Sequence, residues 1–494
     1  MKRLKNKFLR AFFSCCLLFA LLTATQAAEP TRYEVNTAAE LAEAALAVNA
    51  AGGEAEIVLK ADITLSKDAW QAAAGLPAGD NALLFTQGTV TLLGEGHSIT
   101  ADAAGNRGIS VSGSAVLNLG APGYAESLTI RGGGGDAVLL SPLVSLSGTA
   151  VLNVYDGAAI RDTLAVNGAG GVQVSDRAEF NMPGGVIENC NNPYSVAGGV
   201  VVDGVAVFNL CGGTIRGCKG YGGAVNISGQ GRMEFSAGLI EGCESESYGG
   251  AILLERSDPI YYGGGGATGP VIPGLSMTGG TIRGCTAAEC GGVALYANDA
   301  AAELTGGAIT GCKAGESGGG VACLRGKVTV KDCAVYDNTA VKSADDVYND
   351  RYGGTLTLGA LPDGLTLTDT GKPIDGWYKD VQGARRRWSY LYKNTPLAIG
   401  QKQGPHTDFM QSLSLKAAHG AYYTVTYDLN GGTGTGYDPV SVAKGAQHTL
   451  LSAPTKAGHV FTGWKVRSAV NRPGEKIIVN NATTVSAQWL TVDE

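Results

Sequence analysis

The chain has 494 residues, 75 of them glycine and only 10 phenylalanine, and its 44 acidic residues outnumber 37 basic ones. An acidic chain whose longest basic run is Arg385-Arg386-Arg387 lacks the electrostatic footprint of a nucleic-acid binder or of a protein held on anionic lipid. The length allows more than one domain, and the glycine excess suits tight, repeated turns better than one large globular core.

Residues 1–10 carry Lys2, Arg3, Lys5, Lys7 and Arg10 with no acid, an apolar run from Ala11 to Leu22 follows, and Thr25-Gln26-Ala27 supplies small residues for cleavage. This order predicts an export signal over 1–27. The apolar run is too short to span a bilayer comfortably and no later stretch is longer, so the mature chain is expected to have no transmembrane segment. Its balance is 32 basic against 44 acidic residues, a net charge of −12. Export points to a secreted or cell-surface protein.

In the capping region 28–51, Thr37-Ala-Ala-Glu40 has the form of a capping box, and Leu41, Ala44, Ala45 and Val48 follow at helical spacing. An amphipathic helix is expected there, laid over the first unit of a stack. Ile57-Val-Leu59, Ile63-Thr-Leu65 and Val90-Thr-Leu92 then begin a region of short strands that extends from 52 to 375.

Within it the phrase Gly-Gly-x-Ile-x-x-Cys ends at Cys190, Cys218, Cys285 and Cys312, with a looser copy ending at Cys243. The isoleucines Ile160, Ile187, Ile215, Ile240, Ile282 and Ile309 are 27, 28, 25, 42 and 27 residues apart. Three short strands with glycine turns in each period make one rung of a parallel β-helix, so the isoleucines should form an interior column. The next residue in each copy reads Arg161, Glu188, Arg216, Glu241, Arg283, which predicts an outer charge ladder that fixes register. Five cysteines at one repeat position, Cys190, Cys218, Cys243, Cys285 and Cys312, form an odd set and favour a column of buried thiols over a disulfide framework. Oxidation of Cys285 with Cys290, or of Cys211 with Cys218, stays open. The spacing and histidines of a zinc site are lacking. The step of 42 residues contains an insertion whose Tyr261 and Tyr262, followed by four glycines, form a candidate interaction loop.

Residues 376–421 depart from the repeat and read as a C-terminal cap and junction, with Trp377 and Trp388 as packing residues. Asp345-Asp346 is an adjacent carboxylate pair, but it falls at the end of the stack, and neighbouring strand residues point to opposite faces. No catalytic, cofactor or metal site is expected.

The repeats resemble the pectin-lyase-like right-handed parallel β-helix. The phrases ending Gly-Gly-Ala-Val225 and Gly-Gly-Ala-Ile252 are similar to those of polymorphic outer-membrane adhesins. In residues 422–490, the opening strand Tyr423-Thr-Val-Thr-Tyr-Asp-Leu-Asn-Gly-Gly432, then Phe461-Thr-Gly-Trp464 and Ala487-Gln-Trp489, resemble the Listeria–Bacteroides repeat, or internalin B-repeat, a small β-grasp module. That resemblance implies a bacterial surface or secreted protein in which Phe461, Trp464 and Trp489 are core residues. The expectation is an all-β chain, a parallel β-helix with an N-terminal capping helix and a small β-grasp-like domain. It acts as a non-enzymatic adhesion or interaction scaffold that needs no cofactor, and its partner is a host or cell-wall protein or polysaccharide. A polysaccharide lyase or glycoside hydrolase on the same scaffold is the alternative.

Overall fold

A rung of this chain alternates inward aliphatic residues with outward polar ones, and no single rung can bury its apolar side alone; stacking supplies the missing partner. In the computed structural model, which describes residues 29–74, 83–101, 108–133, 138–193, 196–255, 274–350, 353–380, 413–420, 422–444 and 446–492, about ten such turns form a parallel β-solenoid over residues 31–358. The chain is nearly all β. A rung runs, for example, from Val200–Val202 in a 12-stranded sheet to Val207–Arg216 in a 26-stranded sheet, bending at Gly212-Gly213. A Cβ on Gly212 would lie 1.7 Å from the Pro183 carbonyl oxygen of the rung beneath, so only glycine lets the two backbones approach at this corner.

Along the isoleucine column register is one residue to one residue: Ile160 pairs with Ile187, Ile187 with Ile215, Ile215 with Ile240, Ile240 with Ile282 and Ile282 with Ile309. All six isoleucines are buried, and Phe180 stacks on Phe208 with ring centroids 4.6 Å apart in the same core. In seven successive rungs the residue just before the cysteine position has positive φ. Glycine fills it at Gly217, Gly242, Gly284 and Gly311, and Asp162, Asn189 and Asp337 fill it elsewhere, the residue types that best tolerate the left-handed region. Nothing lies within 4 Å of a Cβ built on Gly284, whose φ is +62°, so substitution there tests the backbone term by itself. G284A should cost about 1–2 kcal/mol in urea denaturation, and G284N clearly less. Equal losses would show that the left-handed turn is not what this position selects.

The solenoid opens upstream of the helix. Thr31–Val35 already pairs in parallel with Glu54–Leu59, so the first rung begins at residue 31. Between these strands the helix Ala38–Ala51 buries Leu41, Ala42, Ala44, Ala45 and Val48. Thr37 Oγ1 accepts from Glu40 N, while the Glu40 carboxylate accepts from Asn36 N at 2.6 Å, one residue earlier than in the usual capping box. Asn49 clamps the helix to the first strand of the 12-stranded sheet, donating to Leu84 O and accepting from Thr86 N, both at 2.7 Å.

At the other end the last parallel strand is Gly354–Leu358, short of residue 375. Leu413–Ala418 then pairs antiparallel with both Val347–Asn349 and Gly376–Lys379, which ends the parallel stack. Trp377 is buried here, and its indole donates to Gly359 O at 3.1 Å. Asp345 and Asp346 do not diverge as alternating strand residues, because they precede the strand and both turn into the cap. Asp345 pairs with Lys416 at 2.8 Å, and Asp346 accepts from Asn338 N, Asn338 Nδ2 and Ala417 N. Burial pushes the Asp346 carboxyl up to about 7 in spite of these donors.

The separate C-terminal domain has a five-stranded sheet in the order Val440–Ala443, Tyr422–Asp428, Thr483–Thr491, His459–Val466, Ala469–Asn471, with a two-stranded sheet of Gln447–Thr449 and Lys476–Ile478. Its core is Val425, Tyr427, Leu450, Trp464, Val479, Val485 and Ala487, with Phe461 and Trp489 packed half-buried against it.

Candidate functional site

The charged positions beside the isoleucine column fall into two groups. Glu188 is bracketed by Arg161, 3.0 Å from Oε1, and by Arg216, 2.5 Å from Oε2. Glu241 Oε2 accepts from Arg283 Nε at 2.8 Å and Nη2 at 2.6 Å. Sequence alternation suggests exposed pairs, but Glu188 is only 7 % exposed, because two guanidinium groups cover it from the rungs above and below. The alternation stops at both ends: Arg131 sits in register with Arg161 and donates to Thr100 instead, and Thr310 follows Arg283.

The cysteine column is continuous. Cys190, Cys218, Cys243, Cys285 and Cys312 are all buried and free, and each thiol except that of Cys312 lies within 4.0 Å of the isoleucine carbonyl of the preceding rung. Thr163 occupies the same place one rung earlier, and Asn338 one rung later, where its Nδ2 donates to Ile309 O. Four of the cysteines and Asn338 thus reach back to the isoleucine carbonyl of the preceding rung, whereas Thr163 Oγ1 donates to Gly170 O at 2.9 Å and Cys312 Sγ lies 3.7 Å from Thr310 O. Contacts with the Cys190 and Cys243 thiols, and burial, push the Cys218 thiol well up, and burial pushes Cys333 up to about 12. Among the described residues no group of three or more His, Cys, Asp or Glu side chains could hold a metal ion. None of the nine cysteines after residue 27 forms a disulfide in this structure. Titrating the denatured, unreduced mature protein should therefore give nine thiols, and the native protein should react slowly; seven would reveal a disulfide.

A second periodic column went unread in the sequence. Asn118, Asn153, Asn181 and Asn209 stack on the outer face of the large sheet, each amide donating to the oxygen of the one before at 2.7–3.0 Å, and Asn118 donating to Thr91. Their separations of 35, 28 and 28 residues follow the rung lengths, and the phrases Leu-Asn-Leu119, Leu-Asn-Val154, Phe-Asn-Met182 and Phe-Asn-Leu210 carried the signal.

The concave feature with most chemistry lies on the outer side of the 12-stranded sheet. There the strands Val172–Val174, Val200–Val202, Val225–Ile227 and Ile252–Leu254 are each followed by an outward polar residue, Ser175, Asp203, Ser228 and Glu255. Pro142, Asn167, Gly168, Gln173, Val196 and Val201 complete a cleft of about 550 Å³. Ser228 Oγ donates to Asp203 Oδ1 at 3.1 Å, and the fully buried Asn226 donates to Glu255 Oε1 at 2.9 Å. Burial raises the Glu255 carboxyl above the usual range. A Cβ on Gly168 would meet Gln173 Oε1 at 2.9 Å and the Pro142 ring at 3.1 Å, so any side chain there would crowd this end of the cleft.

The expected export signal over 1–27, the loop tyrosines Tyr261 and Tyr262, Arg385-Arg386-Arg387 and Trp388 lie outside the described residues. In the C-terminal domain Trp464 is wholly buried and its indole donates to Leu451 O at 2.8 Å, while Trp489 donates to Leu429 O at 3.1 Å. Both indoles are thus engaged within the domain.

Residues 423–488 match the family model of the Listeria-Bacteroides repeat domain. No curated protein and no solved structure matches the chain.

Proposed function

We propose that this protein is a secreted or cell-surface bacterial scaffold that mediates adhesion or interaction without catalysing a reaction. The observation that carries the reading is the pairing of a rigid parallel solenoid with a Listeria-Bacteroides repeat, a domain typical of extracellular bacterial proteins. Among the described residues no helix is long and apolar enough to cross a membrane. The buried carboxylates Asp345 and Asp346 are tied to Lys416 and to backbone amides in the cap, which suits a structural role better than work on a bound substrate. The partner is a cell-wall or host surface, protein or polysaccharide. Incubating the full chain with insoluble bacterial wall and with acidic and neutral polysaccharides, and measuring retention and released oligosaccharide in the same tubes, tests this directly. Retention without release is the expected result; release of new reducing ends, or no retention on any surface, overturns it.

A further inference from the structure

The cleft beside the 12-stranded sheet has a lining that narrows its ligand. Backbone register sets Val201 opposite Asn226 and Asn226 opposite Leu253, so Asp203 and Glu255 stand two rungs apart on one line, about 10 Å along the solenoid. No lysine or arginine lines the cleft among the described residues, so the two carboxylates disfavour an anionic ligand and favour one carrying positive charge. Between and beside them stand two amides and two hydroxyls, Asn167, Gln173, Ser175 and Ser228; Ser228 gives its hydrogen to Asp203 and so offers a ligand acceptor lone pairs, while Asn167 gives one N–H to Leu140 O and keeps the other. Pro142, Val196 and Val201 form an apolar wall, and the volume is in the range of small-ligand sites. A lysine side chain would use the carboxylates but leave this row of amides and hydroxyls unmatched, whereas a polyhydroxylated ring uses both. Asn226, fully buried, holds Glu255 in place; its Oδ1 has no hydrogen-bond partner among the described residues.

We infer that this cleft binds an amine-bearing oligosaccharide, with Asp203 and Glu255 receiving its ammonium groups and the neighbouring amides and hydroxyls its ring hydroxyls. This rests on the reading of the chain as a binding scaffold and gives that scaffold a ligand class. The test is calorimetric titration of the full chain with a β-1,4-linked glucosamine tetramer, alongside its N-acetylated form, a neutral glucose tetramer, a galacturonate tetramer and tetralysine. The glucosamine tetramer should bind most tightly and galacturonate not at all. Replacing both carboxylates, D203N with E255Q, keeps the shape and should weaken glucosamine binding about tenfold or more. N167A, at the exposed rim, provides a variant that leaves the buried hydrogen bonds alone and should weaken the neutral and amine-bearing sugars alike. Absence of glucosamine binding, undiminished binding in the double variant, or tetralysine binding as tightly as the sugar would each overturn the inference. Retention of the double variant on wall material at the parent's level, with no glucosamine binding by the parent, would sink the cleft while leaving the scaffold reading intact.

Discussion

Replacing Glu188 by lysine should destabilise the solenoid by about 3 kcal/mol or more, whereas the same change at Glu241 should cost about 1 kcal/mol. The two positions look alike in sequence, one after each isoleucine. Their surroundings differ: the Glu188 side chain is 9 % exposed and lies between two guanidinium groups, while that of Glu241 is 27 % exposed and meets one. A lysine at 188 would bury a cation against Arg161 and Arg216 with no anion between them, the costly case of a broken buried pair. At 241 it would meet Arg283 at the surface, where water screens the repulsion. Urea denaturation of the two single variants, followed by circular dichroism, measures the difference. E188Q should fall between E188K and the parent, since it keeps the shape and removes only the charge. Equal losses at 188 and 241 would mean that the bracket of arginines contributes no more than an ordinary surface pair.

Replacing Trp464 by alanine should unfold the C-terminal domain and leave the solenoid folded. Trp464 is fully buried and touches Tyr427 and Phe461 edge-on, at 4.9 and 5.1 Å between centroids. Truncating such a ring costs about 3–5 kcal/mol, and the indole's hydrogen bond to Leu451 O is lost as well. A domain of this size has only about 3–10 kcal/mol of stability in total, so the loss consumes much or all of it. Limited proteolysis with mass mapping should show cleavage spreading through residues 423–488 while the fragment 31–358 stays resistant. Loss of resistance in both regions would show that the repeat domain and the solenoid fold as one unit. Phe461→Ala should have the same direction and a smaller effect, because Phe461 is only half-buried.

Much of the fold was legible because the repeat writes the same requirement many times. Ile160 to Ile309 mark one inward position, and the glycine pairs mark corners where backbones of successive rungs nearly touch. The capping helix was legible for a local reason, since Thr37 and the apolar positions that follow need no tertiary partner to declare themselves. What the sequence left hidden depends on neighbouring rungs. Glu188 reads as an exposed residue until Arg161 and Arg216 are placed on either side of it. Asp345 and Asp346 read as alternating strand residues, although the antiparallel strand Leu413–Ala418 draws both into the cap. The asparagine column was written in the chain at the rung period, but a lone asparagine between two apolar residues is an ordinary outward strand position until stacking is known. The cleft was least legible of all: Ser175, Asp203, Ser228 and Glu255 share no motif, and only the register of four strands brings them into line.

The most direct measurement concerns that register. Following the paired strands upward, Glu179 and Lys327 occupy one outer column five rungs apart, although 148 residues of chain separate them. Spin labels introduced at these two exposed positions through an unnatural amino acid, which leaves the native thiols untouched, report their separation by pulsed dipolar spectroscopy. In-register stacking predicts one narrow distribution centred about 24 Å apart, before allowance for the label arms. A broad distribution, or a centre displaced by more than two rung heights beyond that allowance, would contradict the stacked solenoid on which the columns, the cleft and the scaffold reading all stand.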